Sequence, residues 1–393
     1  MSLARNLDLL KHLPKVDGLR LTEFGRSADA SSPLEEITGF GDNPGALRMF
    51  AFVPAQLQKP RALVVVLHGC GQTAAAYDLG AGWSALAQHY GFALVMPEQQ
   101  RVNNGNTCFN WFNPEDITRD SGEARSIREM VAHMVDAHRI DHKRVFITGL
   151  SAGGGMTSVM LATYPEVFAA GAIIAGLPYG IASNLREALD GMFHSPARPE
   201  RELGDFVRRA SSHRGPWPKV SVWHGSSDRT VNPGNAGEIV KQWLDLHDLP
   251  PAPMAETVVD GYPRQAWWNR NGETLVESYV ITDMGHGTPL GLADNGQRYG
   301  IEGAFLIEAG ISSSYHIAKF FGLTGWIADA KKAETKPAAP PKPQPARSPA
   351  PHLARSIRAA AADEPAEPKH EQPRGFDLGQ IITRALTAAG LMK

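Results

Sequence analysis

Residues 144–155 read Arg-Val-Phe-Ile-Thr-Gly-Leu-Ser-Ala-Gly-Gly-Gly. Four residues of strand-like composition lead directly into the five residues 149–153, and an apolar segment with helix-forming residues, 156–164, follows. The pattern therefore predicts a strand, a sharp turn and a helix, with Ser151 at the apex of the turn. Side chains in place of the two flanking glycines would crowd such a turn, and the positive end of the helix would point at the serine.

The Gly-x-Ser-x-Gly turn at residues 149–153 is typical of the nucleophile elbow of the α/β-hydrolase fold. In that arrangement a strained turn exposes the serine hydroxyl beside a helix N-terminus, where an oxyanion can be stabilised. The alternative is an ordinary glycine-rich turn with an incidental serine, since the five-residue pattern is common. The strand before the turn and the helix after it favour the elbow.

The chain from residue 34 to residue 328 alternates between strand-like and helix-like segments. This alternation predicts one α/β domain with a mostly parallel, wound sheet flanked by helices, preceded by an N-terminal extension at residues 1–33. Runs such as Leu63-Val-Val-Val-Leu67 suit a parallel strand buried on both faces. The strand candidates are residues 47–53, 62–67, 93–96, 145–148, 171–175, 220–224 and 277–281. The helix candidates are residues 81–90, 121–138, 153–164, 236–247 and 313–321.

The composition argues against several classes of protein. A formal net charge of −2 gives no basic field, so we expect no nucleic-acid partner. With only Cys70 and Cys108 there is no zinc-type cysteine spacing, and we expect neither a metal nor a cofactor. No apolar run approaches the roughly 18–20 residues that span a bilayer, so no transmembrane segment is expected. Residues 1–15 lack the continuous apolar core of a secretory signal.

The composition changes sharply after Asp329. Ten prolines fall between Lys331 and Pro373, so residues 329–374 are predicted to form an extended, disordered linker. Residues 375–393 are predicted to form a short amphipathic helix, because five apolar residues fall near one helical face: Leu378, Ile381, Ile382, Leu386 and Ala389. This helix is expected to dock on a protein partner or on the folded domain. A frayed terminus is the alternative.

A serine hydroxyl is a weak nucleophile at neutral pH, so Ser151 needs a histidine base and a carboxylate that orients the histidine. In this fold the acid and then the histidine follow the serine, on loops after later strands. Asp228 fits the acid, because residues 220–225 read as a strand that ends at a glycine. An aspartate that only stabilises a turn is the alternative. Asp205 and Asp245 also follow the serine but lie in helix-like segments.

His286 is the histidine candidate. It follows the predicted strand at residues 277–281 and stands between two glycines, which let the backbone bend and leave the ring free to reach the sheet edge. His247 and His316 also follow Asp228, but both lie in helical patterns. Asp283 is close to His286 in sequence, yet a neighbour on the same loop seldom orients the ring from behind.

The oxyanion of the reaction needs two backbone N–H donors. One is expected from Ala152, the residue after the nucleophile. The other is expected from the loop after the strand at residues 62–67, which reads His68-Gly-Cys-Gly-Gln72. The N–H of Cys70 is the first choice and that of Gly71 is the alternative. Because the donor is a backbone group, the Cys70 thiol needs no catalytic role.

An ordered set of further motifs extends from about Ala46 to Pro289. It includes His68-Gly-Cys-Gly-Gln72, Cys108-Phe-Asn-Trp-Phe112, Thr148-Gly-Leu-Ser-Ala-Gly-Gly154, Ala175-Gly-Leu-Pro-Tyr179, Gly215-Pro-Trp-Pro218, Val222-Trp-His-Gly225 and Met284-Gly-His-Gly-Thr-Pro289. The set resembles the esterase/polyhydroxybutyrate (PHB) depolymerase family, which includes feruloyl and acetylxylan esterases. The resemblance places Ser151, Asp228 and His286 at the nucleophile, acid and base positions, and Cys70 in the oxyanion loop.

The resemblance also carries expectations about substrate and location. It implies a small or oligomeric ester substrate, either a short-chain hydroxyalkanoate (PHB-type) ester or a feruloyl or acetyl ester. Many family members are secreted, which implies an extracellular location, whereas the lack of a visible signal peptide favours the cytoplasm. The tail after Asp329 is too short for the polymer-binding module of extracellular members, which favours soluble esters over crystalline polymer.

Three aromatic residues near these motifs are candidates for an acyl or aryl pocket: Trp111, Tyr179 and Trp223. Core packing is the alternative for each of them. Cys70 and Cys108 are expected to form a disulfide that ties the oxyanion loop to the loop of Trp111. Such a bond requires an oxidising compartment.

The sequence thus predicts a serine carboxyl-ester hydrolase that works through an acyl-enzyme. A serine peptidase of the same fold is one alternative, although no propeller repeat or gating domain is visible in the sequence. A non-catalytic interaction protein that works through its tail is another. The intact Ser/Asp/His set disfavours it, because a binding protein needs none of the three.

Overall fold

The structure is a computed structural model that describes residues 32–59 and 61–325. Its twelve described strands are β1 (Glu35–Ile37), β2 (Arg48–Phe52), β3 (Leu63–Leu67), β4 (Ala93–Glu98), β5 (Val145–Leu150), β6 (Ala170–Ile174), β7 (Lys219–Gly225), β8 (Ala255–Val259), β9 (Tyr262–Trp268), β10 (Thr274–Ile281), β11 (Thr288–Leu290) and β12 (Leu306–Glu308). Ten of them form one sheet in the order β1-β2-β4-β3-β5-β6-β7-β10-β9-β8, and β11 pairs with β12.

The centre of the large sheet is parallel. The six neighbouring strands from β4 to β10 run in the same direction, while β1 and β2 at one edge and β9 and β8 at the other are antiparallel. All five residues of β3 are buried, and they alternate between the cores on the two faces of the sheet. Continuous Val/Leu runs thus form central strands, because both faces of the sheet are covered.

Nine described helices cover the sheet: α1 (Ala74–Ala81), α2 (Trp83–Tyr90), α3 (Pro114–Ile117), α4 (Gly122–His138), α5 (Ala152–Thr163), α6 (Leu185–His194), α7 (Glu200–Ala210), α8 (Gly234–His247) and α9 (Ser313–Phe320). Apolar residues of α4, α5, α7 and α8 pack on one face, and those of α1, α2 and α9 pack on the other. No helix in the described ranges has both the length and the apolar composition to cross a bilayer.

All seven predicted strands are present, as β2 to β7 and β10, with ends that differ by a few residues. The predicted helix at residues 81–90 is α2, and an additional helix, α1, precedes it. The two helices are separate because Gly82 adopts φ 78°, and a Cβ there would lie 2.3 Å from the carbonyl carbon of Tyr299. The predicted disordered linker and C-terminal helix lie outside the described residues.

Candidate active site

Ser151 lies between β5 and α5 with φ 58° and ψ −118°, a backbone conformation that residues other than glycine rarely adopt. The packing around the turn leaves no room for side chains at its glycines. A Cβ at Gly149 would lie 2.3 Å from the carbonyl oxygen of Gly153, and one at Gly153 would lie 2.4 Å from that of Leu67. The glycines therefore let the elbow close against the end of β3, with Ser151 partly exposed.

The loops after β7 and β10 bring Asp228 and His286 together. The two strands are adjacent and parallel, so both loops leave the same edge of the sheet. The N–H of Ser227 donates to the carbonyl oxygen of Met284 at 3.0 Å. A Cβ at Gly225 would lie 2.3 Å from that same oxygen, which explains why the strand ends at a glycine. Across this junction His286 Nδ1 lies 2.7 Å from Asp228 Oδ2.

The Asp228 carboxylate is fully buried and hydrogen-bonded at both oxygens. Oδ1 accepts the backbone N–H groups of Thr230 (2.8 Å) and Val231 (2.9 Å), and Oδ2 contacts His286 and, at 3.1 Å, His224 Nε2. Burial by itself would raise the pKa of Asp228, but the hydrogen bonds of His224 and His286 hold it well below its usual range. Asp228 is therefore ionised and can orient His286.

The opposite side of the site is formed by residues 68–72 and the start of α5. The N–H of Gly71 donates to the carbonyl oxygen of Asn106 at 2.8 Å, which leaves Cys70 as the better of the two alternatives in this loop. Ala152 is the first residue of α5, and the N–H groups of a first helical turn have no partner within the helix. Its N–H also lies at the positive end of the helix dipole, which suits a developing anion.

A disulfide and a buried histidine fix the predicted oxyanion loop, residues 68–72. Cys70 and Cys108 are bonded, with their Cα atoms 4.3 Å apart. His68 Nδ1 lies 2.8 Å from the carbonyl oxygen of Gly69, and its Nε2 accepts the N–H of Gln99 at 3.1 Å. These two bonds require a neutral ring with its proton on Nδ1, and burial lowers the pKa of His68 to about 4. The loop is thus anchored twice to the segment after β4.

Glu123, at the start of α4, supports that segment. Its carboxyl group accepts hydrogen bonds from Gln99 Nε2 (2.5 Å), Asn110 N (2.9 Å) and Asn110 Nδ2 (2.8 Å). Burial, together with the charge of Asp116, raises the pKa of Glu123 to about 8, although the amide donors favour the ionised form. Glu123 therefore holds the segment without a full charge at neutral pH.

Two of the three predicted pocket residues are partly exposed. Trp111 lies against the first turn of α5, where a Cβ at Gly155 would lie 2.7 Å from the indole Cγ. The backbone of Tyr179 is fixed by Gln242, whose side-chain amide bonds both the N–H and the carbonyl oxygen of Tyr179 at 3.0 Å. Both aromatic side chains pack against the core and remain pocket candidates.

The assignment of Trp223 to the pocket is wrong. Its side chain is fully buried, its Nε1 donates to Ser221 Oγ at 2.8 Å, and its ring stacks on Tyr279 with centroids 3.8 Å apart. Successive residues of a strand point to opposite faces, so Trp223 enters the core on one side of β7 while His224 reaches Asp228 on the other.

Two residues that contact the predicted triad were not predicted. His224 contacts Asp228, and its position four residues earlier in the same strand-to-loop unit was the available signal. Phe305 places its ring edge-on to His286, with centroids 5.7 Å apart. Its backbone has φ 62°, and its carbonyl oxygen accepts the N–H of Thr288 at 2.8 Å. A phenylalanine at positive φ is unusual, so local sequence preferences would not have identified Phe305.

Two other features of the described residues lie apart from these side chains. The ligand atoms of Asp260, Asp294 and His316 lie within 4.8 Å of one another. His316 Nε2 already contacts Asp260 Oδ2 at 2.8 Å, and Lys319 Nζ contacts Asp294 at 2.7 Å, so a cation would have to displace an ammonium group. A cleft is lined mainly by residues 178–198 and by none of the predicted triad.

Comparison with known proteins identifies the family. A family profile described as esterase PHB depolymerase matches residues 49–259. The poly(3-hydroxyalkanoate) depolymerase C of Paucimonas lemoignei is 46% identical over 300 residues, which are 76% of this chain and 72% of that protein. The acetylxylan esterase of Coprinopsis cinerea is 34% identical over 263 residues, 65% of this chain and 69% of that protein. The feruloyl esterase B of Neurospora crassa is 32% identical over 286 residues, 69% and 93% of the two chains.

A solved structure, the acetyl xylan esterase from Aspergillus awamori, superposes with a TM-score of 0.62 at 25% identity. The match covers 74% of this chain and 99% of that one. The α/β-hydrolase fold predicted from residues 144–155 is confirmed, and so is the predicted family resemblance.

Proposed function

The chain belongs to the esterase/PHB depolymerase family and is a carboxylic ester hydrolase, and we propose that it works as a serine esterase with Ser151 as nucleophile, His286 as base and Asp228 as orienting acid. The observation that carries this proposal is the 2.7 Å contact between His286 Nδ1 and the buried, ionised Asp228. This contact joins the loops after the neighbouring strands β7 and β10, at the edge of the sheet where the strained Ser151 lies.

In the proposed acylation step, Ser151 Oγ attacks the ester carbonyl. Because Nδ1 of His286 is held by Asp228, Nε2 is the nitrogen that takes the serine proton. The N–H groups of Ala152 and Cys70 donate to the oxyanion of the tetrahedral intermediate. His286 then gives its proton to the departing alkoxide oxygen, so the alcohol leaves and an acyl-Ser151 ester remains.

Deacylation repeats these roles with water. His286 Nε2 removes a proton from the water as its oxygen attacks the acyl carbonyl, and the same N–H groups hold the new oxyanion. When the intermediate collapses, His286 returns the proton to Ser151 Oγ and the carboxylic acid is released. The fixed oxyanion loop matters in both halves, since donors that are already in place need no reorganisation during the reaction.

For the substrate, we propose a short-chain hydroxyalkanoate ester or oligomer. The higher identity to a named poly(3-hydroxyalkanoate) depolymerase, 46% against 34% for an acetylxylan esterase, supports this choice. Acetyl and feruloyl esters are the second candidates. The partly exposed aromatic side chains of Trp111 and Phe305 provide apolar surface near α5 and His286 for either class of acyl group.

The test of the proposed mechanism is Ser151→Ala, with Ser183→Ala, an exposed serine at the start of α6, as matched control. Hydrolysis of p-nitrophenyl butyrate should fall by about 10⁴-fold or more in the first variant and stay at wild-type level in the second. A fluorophosphonate probe should label Ser151, as located by peptide mass. More than a tenth of the activity in Ser151→Ala would exclude Ser151 as the nucleophile.

The substrate is tested separately, by initial rates of the wild-type protein on hydroxybutyrate oligomers, acetylated xylan and methyl ferulate. The proposal expects the highest kcat/KM on the oligomers. A higher value on acetylated xylan or methyl ferulate would move the assignment to the second candidates and leave the serine mechanism intact.

A further inference from the structure

His224 is a second histidine on the proposed catalytic acid. It lies on β7, four residues before Asp228, and its side chain is 2% exposed. Its Nε2 lies 3.1 Å from Asp228 Oδ2 and 3.0 Å from the carbonyl oxygen of Val231. The Oδ2 that orients His286 is therefore shared between two imidazole rings.

The protonation of His224 follows from its neighbours. Both atoms that face Nε2 are acceptors, so Nε2 carries a proton. Among the described residues, Nδ1 is buried without a hydrogen-bond partner. A second proton on Nδ1 would be a buried donor with nothing to receive it, so the ring is neutral, with its proton on Nε2. Leaving Nδ1 unpaired is unfavourable, so packing alone gives no reason for a histidine at this position.

We propose that His224 is a positioning residue of the catalytic site, which fixes Asp228 Oδ2 towards His286. This inference rests on the proposed function. Two backbone N–H groups hold Oδ1, and Nε2–H of His224 holds Oδ2 at 3.1 Å. The carboxylate therefore stays directed at His286 Nδ1 while the serine proton is transferred.

The other charged groups near this unit do not take over that role. Arg229 and Asp283, on the two loops, are exposed to solvent. On α6, which packs on the loop after Asp228, Asp190 and His194 are exposed and bonded to each other at 2.8 Å. His224 is thus the one buried titratable side chain, among the described residues, that the structure shows bonded to Asp228 besides His286.

The experiment compares His224→Leu, which removes the donor, with His224→Gln, whose amide N–H can replace Nε2–H. We expect His224→Leu to lower kcat/KM for p-nitrophenyl butyrate about 10–100-fold, mainly in kcat, because a hydrogen bond to a charged group is lost. His224→Gln should recover most of the rate.

The control is His316→Leu, since His316 is a buried histidine bonded to another aspartate, Asp260, at 2.8 Å. It should lower the melting temperature without lowering kcat. A folded His224→Leu protein with a wild-type kcat would overturn the inference. A His224→Gln protein as slow as His224→Leu would also overturn the inference. The volume of the imidazole ring, and not its N–H donor, would then be what the site requires.

A measurement on the unsubstituted protein covers the case in which His224→Leu does not fold. In ¹⁵N-histidine NMR, His224 should be the neutral tautomer with its proton on Nε2, and a proton on Nδ1 would overturn the inference. The fluorophosphonate probe separates the two proposals. Wild-type protein unlabelled at Ser151 contradicts the proposed function, whereas full-rate labelling in folded His224→Leu contradicts only the role of His224.

Discussion

Asp228 and Glu123 are both buried carboxyl groups near the predicted site, but different groups surround them. Asp228 is contacted by two imidazole rings and two backbone N–H groups, and its pKa is held well below the usual range despite burial. Among the described residues, the hydrogen-bond donors to the Glu123 carboxyl group are amide N–H groups, and burial with the nearby charge of Asp116 raises its pKa to about 8. Burial alone therefore does not decide whether a carboxyl group is charged.

The difference suits the two positions. In the proposed mechanism Asp228 must be ionised, because a carboxylate orients His286 and stabilises its imidazolium form. Glu123 is linked through Gln99 and His68 to the oxyanion loop. A full negative charge there would oppose the anion that forms in the reaction, whereas a neutral acid holds the loop without that cost.

The largest expected effect comes from Asp228→Asn. Oδ1 faces two N–H groups and stays an oxygen, so the new amide nitrogen faces His286. His286 must then accept at Nδ1 and carry its proton on Nε2, which cannot take the serine proton. We expect kcat for p-nitrophenyl butyrate to fall about 10⁴-fold, as for other triads with this change.

The matched control for that prediction is Asp260→Asn, because Asp260 makes the same kind of contact with a buried histidine, His316, at 2.8 Å. Its kcat should stay within about twofold of wild type, since neither residue belongs to the site. An Asp228→Asn protein that keeps a tenth of the wild-type kcat would show that Asp228 does not orient the base.

The central sheet could be predicted from the sequence because its strands are continuous apolar runs. The edge hairpin of β8 and β9 was missed, since most of its side chains are exposed or partly exposed. Its Asp260-Gly261 turn is a standard hairpin signal that could have revealed it. The helices α6 and α7 were missed because few of their residues are buried, although the polar and apolar residues of each helix lie on separate faces.

For the site, chain order and glycine context led to Asp228 and His286, since the fold ties each loop to a strand end. The burial of Trp223 could not be predicted, because the face to which it points depends on the pairing of β7 with β10. The opposite pKa shifts of Asp228 and Glu123 could not be predicted either. They depend on contacts that the fold brings together, His286 for Asp228 and the amides of Gln99 and Asn110 for Glu123.

A smaller effect is expected from Glu123→Gln, in the pH dependence of stability. Because the folded-state pKa of Glu123 is raised to about 8, its protonated carboxyl group contributes to the free energy of unfolding. This contribution is complete below the unfolded-state pKa near 4.5 and is lost as the pH rises to about 8. The melting temperature of wild type should therefore fall by about 4–8 °C between pH 6.5 and 8.5. Glu123→Gln cannot ionise and should lack this fall, although its amide fits the site less well at every pH.

Calorimetry at several pH values checks this prediction. The slope of melting temperature against pH, rather than the melting temperature itself, is compared between wild type and Glu123→Gln. His68 still titrates in the unfolded state near pH 6.5, but it does so in both proteins, so the difference in slope between wild type and Glu123→Gln removes its contribution. A wild-type protein with a flat profile would mean that the three amide donors keep Glu123 ionised, and the contrast with Asp228 would disappear.

The smallest effect is expected from Asp116→Asn, which tests the second cause of the raised pKa. Asp116 lies on α3, is partly exposed, and disfavours ionisation of Glu123 through its charge. Removing that charge should lower the pKa of Glu123, so the fall in melting temperature should move to lower pH by a few tenths of a unit. Glu115→Gln, an exposed acid on the same helix, is the matched control and should leave the profile unchanged. High salt should move the wild-type profile towards that of Asp116→Asn, because it screens the same interaction. A profile that stays in place in both tests would mean that burial without Asp116 raises the pKa of Glu123, and the contrast with Asp228 would then rest on the two imidazole rings that contact Asp228.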